Sequence, residues 1–342
     1  MSSKVSINLV VFNGQEYLGH CLDFVKNLNY PHDQIEINIW DNYSTDDTLS
    51  IIKSQKENFK DFLGYNFTAT TKNIGMWAGQ EELLRHSSGQ YIVVLSVDII
   101  LDKNFLLYTI EAMERDASIG AVQPKIYRFD LDNTRVQTTK IIDTCGFKIF
   151  KSRRVINIGH GEEDNHQYDQ QKEIFGVEGA VPVFRKEAFE SLRINNEVFD
   201  HDFFWYAEDF DIAWRMNMFG WKQVFVPDAI AWHDRKTTKS LSGGFSEFRN
   251  IRHQIPLAKR RLEFRNIRWA IIKNDYTINI LKDMVYIVRR ELLMLAYLFL
   301  FEPKVLVEIP MMLDKLPKIL KKRRQVMRLA KISSERIRTW FN

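Results

Sequence analysis

Apolar β-branched runs and helix-spaced apolar runs take turns through the first hundred residues of this chain, and that alternation excludes most folds. Ser6–Phe12 reads as a strand, and Glu16–Leu28 carries helical spacing through Tyr17, Leu18, Cys21, Leu22, Val25 and Leu28. Ile35–Trp40 reads as a second strand ending at Asp41-Asn42. Ser44–Ile52 opens as a helix, with Ser44 as the capping residue and Asp47 three positions on. Tyr65–Thr71, Gly75–His86 and Tyr91–Leu95 continue the series as strand, helix and strand. Strands that alternate with helices predict an α/β fold, a mostly parallel sheet flanked by helices.

Beyond residue 130 the pattern loosens. Residues 131–180 are polar, and Gly159–Lys172 lacks an apolar period, so it is expected to be a mobile loop. Order returns over 181–234, and from about 250 the chain turns helical. Residues 250–342 hold 21 Lys+Arg and 8 Asp+Glu, while 1–249 hold 27 and 36, so a basic tail follows an acidic body. These shifts divide the chain into a domain at 1–240 and a basic amphipathic helical region at 241–342. Leu292–Phe301 is ten consecutive apolar residues, too short to span a bilayer. It fits a buried core helix, a dimer interface, or a segment lying on a membrane with help from Lys321-Lys322-Arg323-Arg324. Two cysteines, Cys21 and Cys145, make neither a disulfide scaffold nor a metal knuckle and point to a reducing, cytosolic setting. The N-terminus leads straight into the first strand and does not read as a signal peptide.

Acidic and polar clusters fall where strands of such a sheet end, which is where ligands of open α/β sheets bind. Asp41-Asn42-Tyr43-Ser44-Thr45-Asp46 follows the second strand; it suits a base or ribose, and equally it suits plain turn chemistry. Lys72-Asn73-Ile74-Gly75 precedes a helix and suits a diphosphate, or is only a helix start with a surface lysine. Ser96-Val97-Asp98 follows the apolar strand Tyr91–Leu95, and a carboxylate at the end of a buried strand calls for a partner such as a divalent cation. Glu208, Asp209 and Asp211 lie among Phe204, Trp205, Tyr206 and Trp214; they read either as a base with a raised pKa or as acids drawn to a helix N-terminus. His233, following Val224–Val226 and Pro227, would complete a metal or diphosphate site if it lay near Asp98.

In this order the clusters resemble family-2 glycosyltransferases of the GT-A fold, in particular their rhamnosyltransferase-like branch. The resemblance rests on Val10–Leu18, Asp41–Asp46, Asn73-Ile74-Gly75, Gly179-Ala180 with Phe184-Arg185, and Phe199-Asp200 with Phe203–Arg215. Gly220, Pro227 and His233 follow as they do in the family, and Asn266 with Lys273-Asn274 is similar to the branch's helical tail. It covers about residues 5–240. The resemblance implies donor contacts from Phe12, Asn13, Asp41, Ser44, Lys72, Asn73, Gly75, Val97, Asp98, Gly179 and Ala180. It implies acceptor-side roles for Asp200, Trp205 and Glu208. Asp98, supported by His233, would hold a divalent cation (Mg or Mn) on the donor diphosphate, and Asp209 would be the catalytic base. The chain departs from the family pattern at Ser96, where Asn or Asp is usual.

The implied activity is an inverting transfer of a sugar, rhamnose by the branch resemblance, from a nucleotide-diphosphate donor to a glycan or polyprenyl-linked acceptor in cell-surface polysaccharide synthesis. The 159–172 loop would close over the donor. The expected location is cytoplasmic, with a peripheral contact on the inner membrane's cytoplasmic face and a homodimer as readings of the tail. Two other readings are a nucleotidyltransferase, which should carry a Gly-rich loop where Val10–Gln15 has one glycine, and a non-catalytic nucleotide-sugar-binding scaffold. No nucleic-acid partner is expected, because the basic tail interleaves few aromatics.

Overall fold

A computed structural model describes residues 2–132, 135–234 and 245–342. Among the described residues twelve strands form: β1 Val5–Val11, β2 Ile35–Asp41, β3 Gly64–Ala69, β4 Tyr91–Leu95, β5 Ile99–Leu101, β6 Ile119–Asp132, β7 Arg135–Thr144, β8 Phe147–Ile149, β9 Val155–Asn157, β10 Lys172–Glu173, β11 Val183–Arg185 and β12 Lys222–His233. The helices of the first part are α1 Leu18–Lys26, α2 Thr48–Ser54, α3 Met76–His86, α4 Phe105–Arg115, α5 Lys186–Ser191 and α6 Glu208–Phe219. Those of the tail are α7 Phe245–Gln254, α8 Leu257–Asn274, α9 Thr277–Lys282, α10 Met284–Phe301, α11 Glu308–Leu329 and α12 Ser334–Arg338. The expected boundary at 240/241 lies outside the described residues.

The main sheet runs β10-β12-β6-β11-β4-β1-β2-β3. Its β4-β1-β2-β3 half is wholly parallel, as the alternation predicts. β11 then runs antiparallel to both β4 and β6, and β12 returns parallel to β6, so the whole is a mixed sheet. Every residue of β1 and β4 is buried, because helices cover both faces. Successive β4 residues serve opposite layers. Tyr91, Val93 and Leu95 join the core under α1, α2 and α4, while Ile92 and Val94 join the core with α3, α5 and α6.

That second core also takes in Trp269, Ile319, Val326, Ile337 and Phe341, so the basic tail shares the hydrophobic core of the sheet region. Buried polar bonds fasten the same seam. Lys273 reaches Asp200 at 2.6 Å and Asp211 at 2.8 Å, Asn274 donates to Asp211 at 2.7 Å, and Arg153 joins Asp275 at 2.7 Å and Asp283 at 2.8 Å.

Three expectations change. The helix after β2 begins at Thr48, and the Ser44 hydroxyl accepts from the Asn13 N–H (2.9 Å) instead of capping it. The apolar run Leu292–Phe301 is not a core helix, since Leu298 is the only fully buried residue of α10. Residues 159–171 do lack regular structure, but they are tied down. Lys125 is ion-paired with Asp164 (3.0 Å) and Asp169, and Ile142 N–H donates to Glu162 (2.8 Å). The Lys125–Asp164 pair is almost fully buried, so a closing motion of this loop would have to break it.

Candidate active site

Register brings Val11 beside Asp41 and Leu9 beside Leu95, so the loops after β1, β2 and β4 meet at one edge of the sheet. A cleft of about 1390 Å³ opens there. Phe12, Asn73, Gly75, Val97, Asp98, Gly179, Ala180, Trp205, Glu208, Asp209 and His233, all expected from the sequence, line it. Asn13, Asp41, Ser44 and Lys72 do not; they stand behind its wall or outside it.

The β1 and β2 loops are laced together by side chains. Asn13 Oδ1 accepts from Thr45 N–H (2.8 Å), Gly14 N–H donates to Thr48 Oγ1 (2.8 Å), and Asp47 N–H donates to Gln15 Oε1 (3.0 Å). Asp41 is buried at the end of β2 and accepts from Ser44 N–H (3.2 Å). Asn42 links this loop to the next turn, donating to Asn73 Oδ1 (2.9 Å) and accepting from Ile74 N–H (2.9 Å). Turn chemistry thus accounts for most polar residues of these loops, while half-exposed Phe12 and buried Asn42 border the cleft.

Asp98 and His233 come together as the site required. Their Oδ2 and Nε2 atoms are 3.4 Å apart, on the turn after β4 and at the end of β12. Asp98 is not buried, as the sequence implied; its side chain is 34% exposed, at the cleft surface. His233 Nδ1 lies 2.9 Å from Asp143 Oδ2, a buried carboxylate that fixes the ring. One carboxylate and one oriented imidazole suit a magnesium or manganese ion, which keeps most of its positions for water and substrate oxygens. Among the described residues no group of three or more His, Cys, Asp or Glu is arranged so that it could hold a metal ion by itself. The donor set therefore fits a cation shared with a diphosphate, not a closed structural site.

In the same cleft, the first turn of α6 carries Glu208, Asp209 and Asp211, and these three acids part company. Asp209 faces the cleft, accepting from Gly179 N–H (3.1 Å) and Phe210 N–H (2.8 Å). Glu208 is 2% exposed, its Oε1 has no hydrogen-bond partner, and burial followed by the neighbouring carboxylates raises its pKa well above the usual range. Asp211 is structural, bound by Arg215 (2.8 Å), Lys273 and Asn274. Asp200, expected on the acceptor side, is structural as well. Burial would raise its pKa, but the Lys273 and Lys322 ammonium groups outweigh this and hold it well below the usual carboxylate range. It borders only a small neighbouring cavity of about 300 Å³.

The turn that delivers α6 is strained. Phe204, Tyr206 and Ala207 all have positive φ (63°, 80° and 67°), a region that costs non-glycine residues about 1–2 kcal/mol each. Fully buried Asn266 of α8 holds it, its Nδ2 donating to the carbonyls of Phe203 (2.9 Å), Trp205 (2.9 Å) and Tyr206 (2.8 Å). Gly75 packs on the same turn at φ 91°, where a Cβ would stand 2.8 Å from the Phe204 carbonyl oxygen. At Gly179 a Cβ would stand 3.2 Å from Asp209 Oδ2, so glycine permits the contact that orients Asp209.

Sequence reasoning missed Asp143, Glu178 and Asp234, and it assigned the cleft no residue from the tail. Lys259 of α8 lies 4.4 Å from the Tyr206 ring centroid and borders the cleft with Glu263 and Ile267. Tyr17, part of the opening segment that carries the resemblance, donates to Asp234 at 2.6 Å in the cleft wall.

A mixed α/β sheet with its cleft at the carboxyl edge, lined by an Asp–His pair and a helix-borne carboxylate, defines a GT-A-type transferase fold. Solved structures agree. GalNAc-T7 with UDP, GalNAc and Mn2+ superposes with a TM-score of 0.59 at 14% identity, over 79% of this chain and 48% of that one. The mannosyltransferase PcManGT from Pyrobaculum calidifontis, in complex with GDP-Man and Mn2+, superposes with a TM-score of 0.53 at 19% identity, over 99% of this chain and 83% of that one. The glycosyl transferase family 2 profile matches residues 6–193, and the chain belongs to that family. The poly-beta-1,6-N-acetyl-D-glucosamine synthase of Staphylococcus epidermidis is 24% identical over 230 residues. That match covers 67% of this chain and 49% of the relative, so the chain spans about half the relative's length.

Proposed function

We propose that this chain transfers one sugar, with inversion, from a nucleoside-diphosphate donor to a hydroxyl of a glycan or polyprenyl-linked saccharide during polysaccharide synthesis. The observation that carries this reading is that one cleft holds both the Asp98–His233 pair and Asp209, a carboxylate oriented by two backbone N–H groups.

An acceptor hydroxyl is a weak nucleophile at neutral pH. Asp209 takes its proton as the oxygen attacks the anomeric carbon, and a single displacement on the face opposite the leaving group inverts that centre. Gly179 N–H and the N-terminus of α6 keep the Asp209 oxygens aimed. Phe12, exposed at the nucleotide end, offers a face on which a base can stack. Asp98 and His233 would hold a divalent cation, which when bound neutralises charge developing on the departing diphosphate. Asp143 keeps the His233 ring in place while the diphosphate leaves. Trp205 and Tyr206 form an aromatic wall beside Lys259, suited to the apolar face of an acceptor sugar. The resemblance of the Phe199–Arg215 segment to rhamnosyltransferases makes deoxythymidine-diphosphate rhamnose the first donor to try.

A donor screen tests the reading. The protein is incubated with manganese or magnesium and a panel of nucleotide sugars, and release of nucleoside diphosphate is followed for wild type and Asp209→Asn. Turnover of one donor, slowed about 10²–10⁴-fold in Asp209→Asn with donor binding retained, is the expected result. Binding without turnover of any donor, even with cell-envelope glycolipid present, would instead favour a nucleotide-sugar-binding scaffold.

A further inference from the structure

Helix α10 turns a broad apolar face to solvent. Val285, Leu292, Leu293, Phe299 and Leu300 are between 62% and 77% exposed, and Ile278 and Leu281 extend the face onto α9. At 3.6 residues per turn, the exposed residues of α10 sweep an arc of about 200°, interrupted by one charge, Arg289. A seam for a single partner helix is a narrow stripe of two positions per heptad, so this arc is wider than one helix would cover. Isolated folded chains seldom leave an apolar surface of this extent to water.

The charges of the face have one sign. Between residues 277 and 307 the exposed charged side chains are Lys282, Arg289 and Lys304. The acids of the same stretch are withdrawn into ion pairs: Asp283 with Arg153 and Arg338, Glu291 with Arg268 and Arg290, and Glu302 with Arg252 and Arg260. An apolar face with cations and no exposed acid complements an anionic lipid surface. Among the described residues no helix is long and apolar enough to cross a membrane. The face also adjoins the cleft. The β8–β9 hairpin, whose Lys148 and Arg154 line the cleft, rests on α10 through Lys151 over the Tyr286 ring (5.9 Å) and Arg290 donating to the Ser152 carbonyl (3.5 Å).

We propose that α9 and α10 lie flat on an anionic bilayer, with their apolar side chains at the boundary of headgroups and acyl chains, Lys282, Arg289 and Lys304 among the lipid phosphates, and the cleft mouth beside the membrane. The proposal deepens the transfer reading by placing the cleft where a lipid-linked acceptor resides. It can fail separately, because vesicles that contain no acceptor test it.

The full chain is floated with phosphatidylcholine vesicles, with and without phosphatidylglycerol. Wild type is expected to float with the anionic vesicles and to lose affinity as salt rises. Lys282→Gln and Arg289→Gln should each lower the partition coefficient about fivefold. Leu292→Glu with Phe299→Glu, both at exposed positions, should abolish flotation while leaving the far-UV circular dichroism and Tm unchanged. The proposal is overturned if wild type floats with neither vesicle, or if the double glutamate variant floats like wild type. A concentration-dependent dimer that the same double variant dissociates, without vesicle binding, would assign the face to a second copy of the chain and overturn it equally.

Discussion

Asn266→Ala is the most informative single change outside the cleft. One amide group supplies two N–H donors to three carbonyls, those of Phe203, Trp205 and Tyr206, on the turn with three positive-φ residues. Alanine takes the donor from the part-buried Trp205 and Tyr206 carbonyls, while the Phe203 carbonyl keeps the Trp205 N–H (2.7 Å), at about 1–3 kcal/mol for each acceptor left unpaired. The total, about 2–6 kcal/mol, is a large fraction of a typical folding free energy of about 5–15 kcal/mol. It also exceeds what holds any one strained residue of the turn, so the turn is expected to relax and carry the start of α6 with it. Asp209 would then lose its register with Gly179 N–H, and the base contribution of about 10²–10⁴ in rate would largely disappear. Two assays are needed on the same variant: Tm by calorimetry, expected to fall by several degrees, and kcat on the donor found active, expected to fall at least about tenfold with donor Kd little changed. An Asn266→Ala protein with wild-type Tm and wild-type kcat would refute the idea that this clamp sustains the turn.

Other outcomes follow from the same geometry. Glu208 has a folded pKa raised by burial, so its proton is held more tightly in the folded state, and stability is present below the unfolded value near 4.3 and lost as pH rises through the folded value. Glu208→Gln should therefore flatten the dependence of Tm on pH, its advantage over wild type growing toward alkaline pH; parallel profiles would count against a buried neutral carboxyl. Asp143→Asn removes the carboxylate that orients His233, and manganese affinity measured with nucleoside diphosphate present should weaken about 10–100-fold. Unchanged affinity would mean that His233 takes no part in holding the ion.

What the sequence by itself determined is what local pattern can encode. The β1–β4 series was legible because burial on both faces makes each parallel strand a continuous apolar run. Asp98 could be singled out because ligand-binding residues of such sheets cluster just past strand ends, whereas Asp209, on α6 after α5 and a loop, was singled out by the family resemblance alone. Acids within one helical turn, however, look alike in sequence, and only packing separated cleft-facing Asp209 from buried Glu208 and salt-bridged Asp211, just as lysines from α8 and α11 withdrew Asp200 from the acceptor side. Asp143 carried no local signal, since its meaning comes from a histidine 90 positions away. The tail was read as a separate region because its charge differs, but its inward face completes the sheet's second core and supplies the Asn266 clamp. Periodicity could say that Leu292–Phe301 is apolar, and only the tertiary structure could decide which way it faces. Only Leu298, with Met294 and Tyr297, packs on Phe264, Val305 and their tail neighbours, and most of the other leucines of α10 stay at the surface.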